Sequence, residues 1–183
     1  MKPEEIRLHL EQTGATAVDT EYAKSGTHVD VKVPADKLRG AVQLLRDREY
    51  LIEDLTAVDA TPQLMAIYHF NHLEGGCRVT LRTLTERARP ELPSVQDIYP
   101  GANWHEREAH DFFGLVFSGH PDLSPLILPE DAGDLRPLLK SAERLKTLGE
   151  VIPLFAEAPA PGSGKATAAT PAGEPASKSE GEA

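Results

Sequence analysis

Apolar residues recur at a helical interval from the start of the chain, where Ile6 and Leu10 follow Pro3-Glu4-Glu5 and Gly14 closes the run. Acids at the positive end and a glycine at the exit predict a short helix. Ala15 to Tyr22 reads as a strand and Lys24-Ser25-Gly26 as a turn, and His28-Val29-Asp30-Val31-Lys32-Val33 alternates as a second strand. Pro34 then opens a helix that places Leu38, Val42 and Leu45 on one face. From Tyr50 the pattern returns to strands, over Leu51 to Val58 and Leu64 to His72. A Glu74-Gly75-Gly76 turn leads into a third strand, Cys77 to Leu84. Ser94 with Asp97, and Asn103 with Glu106, have the spacing of helix starts, the second pair as a capping box. The second start predicts a helix over Trp104 to Phe113 that leaves through Gly114 in a left-handed conformation.

The resulting order is helix, two strands, helix, three strands, helix, without βαβ repetition. It predicts an α+β two-layer sandwich, a mixed but mainly antiparallel sheet with helices on one face. The packed domain is expected over residues 1–136. Residues 137–155 form a C-terminal docking extension, with a short helix around Ala142 to Leu148 and Leu138, Leu139, Val151 and Phe155 as its buried residues. Residues 156–183 are Ala, Pro, Gly, Ser, Thr, Lys and Glu only. Such a tail buries too little apolar surface to offset its ordering entropy and is expected to be disordered.

Charge narrows the function classes. A formal charge of -10 over 183 residues argues against nucleic-acid binding, which needs a basic face. No apolar run approaches the roughly 18 residues of a membrane span, and no secretion or transit signal is read at the N-terminus. A single cysteine excludes an intrachain disulfide and any all-cysteine iron–sulfur or zinc site built by this chain alone. Cys77 is expected to pack as a small hydrophobe.

The candidate chemistry sits between His105 and Asp111. His105 and His110 are five residues apart, about 140° around a helix, which argues against the one-face spacing of zinc-binding histidines. Glu106, Glu108 and Asp111 could act as acid and base. With Arg107 among them, a structural ion-pair network is the reading preferred here. His120-Pro121-Asp122 reads as a tight turn, with a proton relay or quinone contact as its functional alternative. Arg78, Arg82, Arg87 and Arg89 are expected to form one half of a salt-bridged interface with a partner. Gly75-Gly76 lacks the spacing and the following helix of a phosphate loop.

The same region carries a family resemblance. Val95, Asp97, Tyr99-Pro100-Gly101-Ala102-Asn103-Trp104, Glu106-Arg107-Glu108, Asp111, Phe113-Gly114, Phe117 and Gly119-His120-Pro121-Asp122-Leu123 resemble the signature of the 30 kDa subunit of respiratory complex I, the NADH-quinone oxidoreductase. Relatives in membrane-bound NiFe hydrogenases and coenzyme F420 dehydrogenases resemble it too, and the match fades after Leu128-Pro129-Glu130-Asp131. The resemblance implies a 30 kDa-subunit-like domain over 1–136, in a non-catalytic subunit of the peripheral arm of a complex I-like membrane oxidoreductase. Its implied partners are a large catalytic (49 kDa-like) subunit and a small Fe–S (20 kDa-like) subunit, which it clamps in register, with an 8Fe-ferredoxin-like subunit as a further candidate. No cofactor is implied for this chain; the Fe–S clusters and the quinone or NiFe site belong to the partners. The implied location is the cytoplasmic side of the cell membrane, held there through the complex. Trp104, Glu106, Arg107, Glu108, Asp111, Phe113, Gly114, His120, Pro121 and Asp122 are the implied interface or structural signature. Ser124-Pro125 stands where complex I members carry two arginines, which brings hydrogenase-type relatives level with the quinone-reducing ones. Readings of another class are a free-standing hydrolase or metalloenzyme using the Glu106–Asp111 acidic helix, and an assembly factor.

Overall fold

The computed structural model describes residues 2–152. The tail expected over 156–183, and residues 153–155 of the expected extension, lie outside the described residues. In chain order the elements are α1 (Pro3–Glu11), β1 (Thr16–Asp19), α2 (Tyr22–Ser25), β2 (Val29–Lys32), α3 (Leu38–Asp47) and β3 (Tyr50–Asp59). They continue with β4 (Gln63–His72), β5 (Cys77–Glu86), β6 (Glu91–Pro93), α4 (Ala102–Phe113), β7 (Val116–Ser118) and α5 (Leu148–Val151). The main sheet runs β1-β2-β5-β4-β3, antiparallel except for the parallel β2–β5 pair, and β6 and β7 form a separate parallel pair. The class is α+β, as the element order predicts.

Period-two alternation decides what each face of the sheet covers. On β4, Leu64, Ala66, Tyr68 and Phe70 enter the main core, and Cys77, Val79 and Leu81 of β5 join them. Ile6 and Leu10 of α1, Leu38, Ala41, Val42 and Leu45 of α3, and Ala102, Ala109 and Phe113 of α4 close the same core. The alternate β4 residues Met65 and Ile67 point to the opposite face, where Ala60 and Leu148 of α5 pack on them. The end of the described chain thus patches part of the second face.

Several expectations need correcting. The strand expected from Ala15 to Tyr22 stops at Asp19, because Tyr22–Ser25 closes into a helical turn that exits through Gly26 at φ 71°. The helix expected around Ala142 to Leu148 is a single 3-10 turn at Ala142–Arg144, and α5 begins only at Leu148. There the Thr147 hydroxyl accepts from the Glu150 amide while the Glu150 carboxylate takes the Thr147 N–H at 2.7 Å, a capping box. Leu138 and Leu139, expected to be buried, are 48% and 37% exposed. The arginines of the expected cluster each have an acidic partner within this chain: Arg78 pairs with Glu53, Arg82 with Asp30, Arg87 with Asp59 and the exposed Arg89 with Glu91.

The Arg87–Asp59 pair ties the C-terminal segment to the sheet. Asp59 ends β3 with a fully buried side chain, accepting from Arg87 Nε at 2.8 Å, Arg87 Nη2 at 3.1 Å and the Lys140 amide at 2.7 Å. Burial alone would raise its pKa, but the Arg87 and Lys140 bonds outweigh it and hold the carboxyl below its ordinary value. Arg87→Met should therefore strand a buried carboxylate. Because Arg87 is about one third exposed, the expected loss is about 3 kcal/mol, the low end for a broken buried pair. Denaturant unfolding of the variant against wild type measures it, and a change under about 0.5 kcal/mol, typical of surface sites, would refute this role.

Candidate functional site

Helix α4 has three working faces, each set by the helical interval. Ala102, Glu106, Ala109 and Phe113 form one buried stripe, so a carboxylate occupies a position that the spacing assigns to the core. Arg107 and Asp111, four apart, lie on a second face. Trp104 and Glu108, also four apart, lie on a third face and are exposed. The helix ends where expected, leaving through Gly114 at φ 73°, where a side chain would strain the left-handed backbone, but it begins at Ala102, two residues before the expected Trp104. Its start is not the expected capping box. Gly101 is the N-cap, the Ala102 and Asn103 amides bond the Tyr99 and Pro100 carbonyls, and Glu106 turns inward instead of reaching back.

Glu106 holds the strand-to-helix connection. Its two carboxylate oxygens accept from Ser94 Oγ at 2.6 Å and from the Val95 amide at 2.7 Å, with the Glu106 side chain fully buried. Ser94 and Asp97 accordingly do not begin a helix. The Ser94 hydroxyl is committed to Glu106, and Asp97 makes a paired contact with Arg39 of α3 at 2.8 and 2.7 Å. His120, also with a fully buried side chain, places Nε2 4.0 Å from Glu106 and 3.3 Å from the Asn103 carbonyl. Its Nδ1 accepts from the Asp122 amide at 3.1 Å. This arrangement assigns the neutral tautomer with the proton on Nε2, donating to Asn103. His120 thus fastens the 119–122 turn to the first turn of α4.

The second face grips a loop by its main chain. Arg107 donates through Nε to the Ser124 carbonyl at 2.9 Å, and through Nη2 to the Pro125 carbonyl at 2.9 Å and Ser124 Oγ at 3.3 Å. One oxygen of Asp111 accepts from three successive amides, Leu126 at 3.0 Å, Ile127 at 2.8 Å and Leu128 at 3.1 Å. Burial alone would raise the Asp111 pKa, but the three amides, with help from His110, bring it below the ordinary value. Asp122 caps the same loop by accepting the Ser124 amide at 2.8 Å. The expected ion-pair network is therefore replaced by another arrangement: Glu106, Arg107 and Asp111 bond backbone groups and serine hydroxyls, not one another. Glu108 is exposed and makes no hydrogen bond or ion pair among the described residues.

The third face and the held loop enclose a cleft of about 550 Å³. Pro100, Trp104, Leu126 and Ile127 supply its apolar walls, and Trp104 and Ile127 are 69% and 54% exposed. His105, at its edge, lies 3.4 Å from Asp54 of β3, whereas His110 bonds the Leu115 carbonyl at 2.8 Å. The two histidines thus serve separate partners, and no three His, Cys, Asp or Glu residues converge among the described residues. Of the ten implied interface or structural residues from Trp104 to Asp122, Phe113 is buried, Pro121 and Asp122 sit in the exposed turn, and Trp104 and Glu108 face the cleft. Leu126 and Ile127 carry no signal in the sequence, because a loop held through its main chain has no periodicity.

A raised carboxyl pKa gives the buried face a pH signature. Burial lifts Glu106 from 4.5 to about 7; the Ser94 and Val95 bonds oppose the rise, the Asp97 charge adds to it and Arg39 opposes it again. The folded state then binds the Glu106 proton more tightly than the unfolded chain, so this group's contribution to stability falls as pH rises from 4.5 through about 7. Glu106→Gln should flatten that decline, which is on the order of 3 kcal/mol over the window. Unfolding midpoints at pH 5 and pH 8 for both proteins provide the check, and equal slopes would contradict it.

A family model described as respiratory-chain NADH dehydrogenase, 30 Kd subunit, matches residues 31–147. An NADH-quinone oxidoreductase subunit from Roseiflexus castenholzii is 34% identical over 110 residues, covering 56% of this chain and 63% of that protein. The chain thus spans less than two thirds of that relative's length. The corresponding NADH-quinone oxidoreductase subunit from Moorella thermoacetica is 36% identical over 103 residues, covering 54% of this chain and 70% of that one. Among solved structures, a trypsin-resistant fragment of Nqo5 aligns at TM-score 0.58 and 26% identity, over 67% of this chain and 100% of the fragment. A chain of a membrane-bound sulfane sulfur reductase, an archaeal respiratory membrane complex, aligns at TM-score 0.65 and 27% identity, over 85% and 92% of the two chains.

Proposed function

The chain belongs to the respiratory-chain NADH dehydrogenase 30 Kd subunit family, and from that premise we propose that it is a non-catalytic peripheral subunit of a complex I-like membrane oxidoreductase. In this reading it holds a large catalytic subunit and a small iron–sulfur subunit in register, with any quinone or nickel site and all clusters in those partners. One cysteine leaves it without the ligands of an all-cysteine cluster. Contact with the bilayer then runs through the partners, and among the described residues no helix is long and apolar enough to cross a membrane.

The observation that carries the reading is the fixed apolar cleft beside α4. Trp104 and Ile127 remain exposed although their backbones are bonded in place, one in a helix and the other by Asp111. Exposed aromatic and aliphatic side chains on a rigid frame suit protein docking, where a few buried anchors supply most of the binding energy. The hydrolase reading fares worse, because the Glu106 carboxylate is closed off from solvent and the buried Asp111 spends one oxygen on three loop amides.

Two outcomes test the proposal. Ile127→Asp should weaken retention of the chain in the purified membrane complex by about 2 kcal/mol, roughly thirtyfold in affinity. Activity should fall in step with the amount assembled, as read by native gel and by turnover per assembled complex. Full assembly with abolished turnover would instead make this face part of a reaction site. The isolated chain should also contain far less than one iron, nickel or zinc per molecule by elemental analysis, and stoichiometric metal would overturn the scaffold role.

A further inference from the structure

We propose that the α4 cleft receives an arginine of the docked partner subunit, its guanidinium lying on the Trp104 indole and paired with the Glu108 carboxylate. The proposal rests on the scaffold reading above and names the partner chemistry of that face.

Three observations point to a cation. Among the described residues Glu108 is the only Asp, Glu, Lys or Arg lining the cleft, and it makes no hydrogen bond or ion pair there. The nearest cation in sequence, Arg107, directs its guanidinium to the Ser124 and Pro125 carbonyls and forms no ion pair with Glu108. Asp54, about half exposed, adds negative charge behind His105 at the same edge. The local balance is therefore negative in an otherwise apolar recess, and the chain as a whole carries -10.

Geometry selects arginine over lysine. Trp104 and Glu108 are four residues apart on one helix face, about 6 Å along the axis at 1.5 Å per residue. A planar guanidinium stacked on an indole presents its edge N–H groups outward, and a carboxylate one turn away meets them as a fork. A lysine ammonium offers no flat face and no paired donors. With the partner segment seated, the apolar side chains of Pro100, Leu126 and Ile127 would border the pair and lower the local dielectric around both contacts. A cleft of about 550 Å³ also exceeds what one side chain fills, so neighbouring residues of the partner segment would enter with the arginine.

The test uses the intact membrane complex. Glu108→Arg, at an exposed position without internal bonds, should lower retention of the chain at physiological salt about tenfold, and Glu108→Gln should lower it less. A photo-crosslinking residue in place of Ile127 should link to an arginine-containing segment of another subunit. Reversing that arginine to glutamate should restore retention of the Glu108→Arg chain. Wild-type retention of Glu108→Arg, failure of the charge swap to rescue, a segment without arginine, no cross-link, or a cross-link to a second copy of this chain would each overturn the proposal. Overturned in any of these ways, with the wild-type chain still present in the complex, it leaves the scaffold role standing. Absence of the wild-type chain from the purified complex removes both.

Discussion

A backbone amide or carbonyl that leaves water must find a partner, and the loop from Asp122 to Leu128 has no strand or helix to provide one. Helix α4 provides it. Arg107 donates to two loop carbonyls and Asp111 accepts from three loop amides, so a segment without regular structure is held against a rigid element at both polarities of its main chain. The cleft wall depends on that grip, since Leu126 and Ile127 carry two of the three amides that Asp111 binds. Replacing the grip by mutual ion pairs along α4 would deprive the three part-buried loop amides of their carboxylate.

The same helix reconciles a charged sequence with a packed domain. Its inward stripe carries one carboxylate, and that carboxylate is matched to a serine hydroxyl and an amide in the connection after β6. The neighbouring Arg39–Asp97 pair ties that connection to α3, and the Tyr99 hydroxyl donates to the Tyr50 carbonyl of β3 at 2.7 Å. With the Ser94 amide also bonded to the Ser118 carbonyl of β7, one short connection ties α4 to three other elements.

Much of this is legible in the sequence, for reasons that differ by element. Leu38, Val42 and Leu45 follow helical spacing without interruption, and β4 and β5 are long enough for alternation to show. The α4 span is readable from its exit glycine, yet its start is not: Asn103 and Glu106 have capping-box spacing, but Glu106 also falls in register with Ala102, Ala109 and Phe113. Burial of the connection decides between these uses of the carboxylate. β6 and β7, three residues each and paired in parallel, are too short for any periodicity. The structural character of the ionisable residues of α4 shows in their density, whereas their partners stay hidden because main-chain groups look the same in every residue.

Recognition of main chain in place of side chains has a consequence for how this surface can diverge. Arg107 and Asp111 bind groups that every non-proline residue offers, and at Pro125 only the carbonyl is used. Substitutions at Ser124, Leu126 or Ile127 therefore change what the loop displays while leaving most of its mooring intact. Shape and chemistry become separately heritable traits: the frame is inherited through two side chains of α4, and the displayed residues can change without loosening it.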